Sequence, residues 1–90
     1  MTDATKLMML KISIGIKTAA YDARLTQLLE AASEEIEREG VTLSPDSVAD
    51  DNLQIAYAAW LWNRRDTGEG MPRMVRWMLN NRRYGGGGNG

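Results

Sequence analysis

Apolar residues first gather at Leu7, Met8, Leu10, Ile12 and Ile14, and two periods compete there. Leu10, Ile12, Ile14 and Ile16 alternate with Lys11, Ser13, Gly15 and Lys17, which is the rhythm of a strand. Against that, Asp3 suits a helix start and Gly15 stands where a left-handed stop belongs. A lone strand would also find no partner in the rest of the chain. The pattern therefore predicts a short helix ending near Ser13.

The next segment is less ambiguous. Asp22 opens a run in which Leu25, Leu28, Leu29, Ala32 and Ile36 recur at spacings of three and four, one stripe of an amphipathic helix. Glu30, Glu34, Glu35, Glu37 and Glu39 lie mostly off that stripe, and Gly40 ends it. Residues 41–49 read as a connection in which Ser44-Pro45 opens a brief helical turn. Asp50 or Asp51 then caps a helix from about Asn52 to Asp66, with Leu53, Ala56, Tyr57, Trp60 and Leu61 inward. Ile55, Ala59 and Trp62 widen its apolar arc, either toward another chain or because a small bundle wraps it from two sides. Thr67-Gly68-Glu69-Gly70 breaks the chain, and Pro72 starts a last helix that turns Met71, Met74, Val75, Met78 and Leu79 inward. About ten residues long, that helix needs packing to persist in water. The expected fold class is all-α, a small bundle of about four helices over residues 1–84, followed by a flexible glycine-rich tail, 85–90.

Length and composition narrow this further. Ninety residues hold one core, and a 43% hydrophobic fraction is that of a globular domain. No run is long enough for a membrane span, and the start lacks a signal-peptide core, so a soluble intracellular protein is expected. Without cysteine there are no disulfides or thiolate metal sites. Without histidine the commonest general base and metal ligand are missing, and no serine or threonine has its usual activator. The glycine runs GEG and GGGGNG lack the Walker lysine-serine ending. No calcium-loop spacing appears. These absences argue against an enzyme, and no catalytic, cofactor or metal residue is assigned.

Charge is where the chain becomes distinctive. The net value is −1, yet residues 30–51 carry −7 and residues 64–83 carry +4. Glu30, Glu34, Glu35, Glu37, Asp50 and Asp51 form a candidate acidic flank. Arg64, Arg65, Arg73, Arg76, Arg82 and Arg83, interleaved with Trp60, Trp62, Trp77 and Tyr84, form a candidate protein-interface flank. Each group has a plainer reading: the glutamates solvate a helix face, and the arginine pairs offset helix C-terminal dipoles. The arginines also suit DNA phosphates, although a dedicated DNA reader usually has an overall basic charge.

Taken in order, these segments resemble a known family, the small helical head–tail connector (adaptor) proteins of tailed bacteriophages. LKISIGI followed by YDARLTQLLEAASEEIEREGV is similar to the family's opening. DSVADDNLQIAYAAWLWNRRDTGEGMPRMVRWMLNNRR is similar to its second half, and MPRMVRWMLNNRR after YAAWLW is the most specific piece. The likeness spans about residues 5–83 and leaves out the glycine-rich end. It implies structural work in the neck of a virion, after assembly in the host cytoplasm. Copies would form a homo-oligomeric ring, expected as a dodecamer, below the portal protein. That ring would extend the channel through which double-stranded DNA passes and would dock a tail or neck completion protein. Roles carry over to Arg73, Arg76, Trp77, Asn80, Asn81 and Arg82 of the matching final helix. Glu34, Glu35 and Asp50 are candidates for an acidic channel lining. The alternative is a small helical DNA-binding module, such as a terminase small subunit or a phage regulator.

Overall fold

Thr2 begins the first helix: its hydroxyl accepts from the Thr5 backbone N–H at 3.1 Å, a cap worth about 1 kcal/mol. Asp3 is therefore the first helical residue and adds its charge to the helix N-terminus. Four α-helices follow in order: α1 (Asp3–Ile14), α2 (Asp22–Arg38), α3 (Val48–Thr67) and α4 (Arg73–Asn80). The last continues into a π-helical turn, Asn81–Gly85. The structure is a computed structural model that describes residues 1–67 and 70–85, with backbone only at 65–67 and 84–85. Among the described residues there is no strand, and the fold is an all-α small bundle. Part of the 67–70 break, most of the glycine-rich end, and the side chains of Arg65 and Tyr84 lie outside the described residues.

Two helices end by the same device. Gly15 (φ 76°) and Gly40 (φ 95°) take the left-handed conformation that favours glycine. The following N–H groups then reach back five residues, from Ile16 to the Lys11 carbonyl at 2.9 Å and from Val41 to the Ile36 carbonyl at 3.3 Å. In the second case Val41 is buried beside Ile36, which adds the apolar contact typical of this cap. The turn after α1 is further tied by Lys11 Nζ, 2.8 Å from Asp22 Oδ1. Residues 10–16 thus resolve as helix plus stop, and the strand rhythm is not used.

The expected stripe of α2 is the observed one: Leu25, Leu28, Leu29, Ala32 and Ile36 are all buried. It packs on α3, which also contacts α1 and α4 and forms the centre of the bundle. That position explains the wide apolar arc of α3. Leu53, Ile55, Tyr57, Ala58 and Leu61 are buried, while Ala56, Ala59, Trp60 and Trp62 are half-buried. Ile55 is therefore core, and Ala56 and Trp60 are less enclosed than the sequence reading had them. Ala32 and Ala58 are both fully buried.

Three local expectations are corrected. Helix α3 starts at Val48 rather than near Asn52, because Ser47 is the cap and accepts from the Asp50 N–H at 3.1 Å. Asp50 and Asp51 then fall in the first turn with their side chains turned inward. Met74, expected inward, is 65% exposed, whereas Val75 and Leu79 are buried. Helix α4 packs chiefly on α3, so one narrow stripe seals it and Met74 lies to the side.

Candidate protein-interaction surfaces

Asp50 is the most enclosed charge among the described residues, 1% exposed. A carboxylate so placed needs partners, and it has three hydrogen bonds. Arg82 Nε donates to Oδ1 at 2.5 Å and Arg82 Nη2 to Oδ2 at 3.0 Å, while the Ser44 N–H donates to Oδ2 at 2.8 Å. The same Arg82 Nη2 donates to the Thr42 carbonyl at 2.7 Å. Burial pushes the Asp50 carboxyl up, but the Arg82 and Ser44 bonds and the Arg82 charge outweigh it and hold it below the ordinary carboxylate range. In return Asp50 holds the Arg82 guanidinium above its ordinary value. A two-pronged guanidinium contact of this kind is planar and directional.

Asp51, 4% exposed, sits beside it in a second set of contacts. Lys6 Nζ lies 3.8 Å from one of its oxygens, and the Met1 ammonium lies 2.9 Å from the other. Lys6 Nζ also donates to Gln54 Oε1 at 3.0 Å, and Gln54 Nε2 donates to the Leu29 carbonyl at 2.8 Å. Gln54 thus links α1, α2 and α3 with both ends of its amide satisfied. Glu35, half-buried, accepts from the Tyr57 hydroxyl at 3.0 Å. Burial and then the Glu35 bond push that phenol up to about 12.

The acidic and basic flanks of the sequence therefore meet inside one chain. Arg82 takes Asp50, and Arg83 lies 3.6 Å from Glu39 on the surface. Asp50 and Asp51 are buried and present nothing to a neighbour, and Asp50 lines no channel. Arg82 is likewise engaged within the chain. Arg64 stacks over Trp60 at 5.0 Å, a cation–π contact on the surface of α3. What is left outward is smaller and better defined. Glu30, Glu34 and Glu37 share one exposed face of α2, at spacings of four and three. Arg73, Met74, Arg76 and Trp77 form an exposed ridge on α4, with Trp77 62% exposed, and Asn80 and Asn81 continue it. Arg73, Met74 and Trp77 border one apolar surface hollow.

One surface does not follow from the sequence. A cleft of about 290 Å³ opens between α1 and α2, with Ala4, Leu7 and Leu29 as apolar walls, Thr26 beside them, and Asp3 and Glu30 at its sides. Its residues come from three helices and share no spacing along the chain. The signal that existed was chemical only, two acidic residues on helices that turn out to be neighbours. Among the described residues no helix is long and apolar enough to cross a membrane. Comparison of the chain with protein-family models, with curated proteins and with solved structures finds no match.

Proposed function

We propose that this chain is a structural component of a tailed-bacteriophage neck, a head–tail connector. Its copies assemble below the portal, extend the DNA channel and give a tail or neck protein a surface to dock on. The observation that supports this reading is the α4 ridge. Helix α4 leaves Trp77 and Met74 open to water beside two arginines, Arg73 and Arg76, that make no ion pair among the described residues. Aromatic and methionine side chains beside arginine are the composition of a protein interface. The resemblance of residues 5–83 to connector proteins supplies the setting. A DNA-reading module draws less support, because Arg82 and Arg83 are directed at Asp50 and Glu39 and fewer cations remain for phosphate.

The test is imaging of the neck of intact particles at side-chain detail. A ring of four-helix subunits under the portal, with α4 at a contact, is the expected result. Particles whose neck lacks the chain would overturn the proposal.

A further inference from the structure

The α4 ridge carries arginines, and the α1–α2 cleft is flanked by carboxylates. On the ridge, Arg73 and Trp77 are four residues apart and share a face, with Arg76 adjacent. The cleft is apolar within, where Leu7 and Leu29 form its walls, and acidic at its edge, where Asp3 and Glu30 stand, with Glu34 one turn further along α2. Its volume of about 290 Å³ accommodates one indole ring. The polar groups at its base are already satisfied. Gln54 bonds to Leu29 and Lys6, and Lys6 also faces Asp51, so a ring entering the cleft strands neither Gln54 nor Lys6.

We infer that Trp77 of one copy seats in the α1–α2 cleft of a second copy, with Arg73 and Arg76 against Asp3, Glu30 and Glu34. This rests on the assembling role proposed above and names the two faces that meet. The ridge and the cleft share no residue, so every copy offers both, and the contact is head to tail. Such contacts propagate, and they close into a ring when the rotation per copy permits. A central aromatic anchor inside a charged rim is the arrangement in which a few side chains carry most of an interface's energy. The arginine–carboxylate rim chiefly sets orientation and association rate.

The experiment is native mass spectrometry and sedimentation of the full chain over a concentration series. The wild type is expected to associate. Trp77→Ala, and Ala4→Trp, which plugs the cleft from an exposed position, each weaken association at least a hundredfold, with helicity by circular dichroism unchanged. Arg73→Glu/Arg76→Glu reverses the ridge, and Glu30→Arg/Glu34→Arg reverses the rim of the seat. Each double variant alone is monomeric. Their equimolar mixture associates again, because the reversed ridge fits the reversed rim and the unaltered ridge fits the unaltered one. Wild type that stays monomeric at every concentration, Trp77→Ala or Ala4→Trp that associates normally, or a mixture that stays monomeric overturns the contact. The two readings fail separately. A neck ring built on other faces removes this contact and leaves the connector role, whereas a chain absent from the neck removes the role and leaves the contact.

Discussion

Arg82 grips Asp50 across 32 residues of sequence, joining the π-helical turn after α4 to the first turn of α3. The Asp50 side chain is 1% exposed and that of Arg82 is 29% exposed, so the pair is closed on the carboxylate side and open to water on the other. Removing the arginine leaves a buried carboxylate with only the Ser44 N–H. Arg82→Ala is expected to cost about 2–3 kcal/mol, a little below the usual range for breaking a buried pair because water reaches the vacated side. Arg82→Lys keeps the charge but not the fork and falls between. Urea denaturation checks both. Equal stability of wild type and Arg82→Ala would contradict the account.

The same pair sets an acid limit. Because Asp50 titrates below the ordinary carboxylate value in the folded chain, its stabilisation is fully present above about pH 4 and is lost as pH falls through the lowered folded value. Thermal melts taken downward from pH 5 should fall more steeply in wild type than in Asp50→Asn. The variant starts less stable and lacks this titration.

At the alkaline end Tyr57 is the group to follow. Its phenol, pushed up to about 12, keeps its proton in the folded chain where an unfolded tyrosine near 10 loses it. The folded state therefore holds an advantage below about pH 10 that fades as pH rises toward 12. Ultraviolet titration should show a late tyrosine step as pH rises toward 12, and Tyr57→Phe should remove that step. Glu35→Gln takes away the second cause of the shift and should bring the step earlier.

Gly15 has nothing within 4 Å of where a Cβ would stand, so any cost of substitution there comes from the backbone alone. Gly15→Ala is expected to lose about 1–2 kcal/mol through its left-handed φ. Ala58 offers the contrast, since it is fully buried on α3 and its cost is steric. Ala58→Leu is expected to lose about 1–3 kcal/mol by overpacking, whereas Ala23→Leu on the exposed side of α2 should be near neutral. Chemical denaturation of the three variants ranks them.

Much of the fold could be read from the chain because its signals are local. The α2 stripe and the glycines at 15 and 40 follow from spacing and backbone freedom, and all appear in the structure. The start of α3 was harder to place. Ser47, Asp50 and Asp51 are all capping types, and which one caps depends on Arg82 drawing Asp50 inward from far along the sequence. Three of the candidate surface residues were misplaced for the same kind of reason. Counting charge by segment put Asp50, Asp51 and Arg82 on opposing rims, but charge totals carry no information about which groups neutralise one another inside the fold. Met74 and Val75 are adjacent, and a helical period alone does not say which of the two meets α3. The cleft was beyond reach because it belongs to helix packing rather than to any one helix.

The way α4 is attached has a mechanical consequence. It lies chiefly along α3, and its far end is clasped by Arg82 to Asp50 and Thr42 and, more loosely, by Arg83 to Glu39. A pull applied beyond residue 83 strains that clasp before it strains any leucine of the α2–α3 seam. The clasp is made of ions and can re-form once the tension is gone, whereas a torn seam must refold. Tension on this end of the chain would thus be absorbed by a part that mends itself.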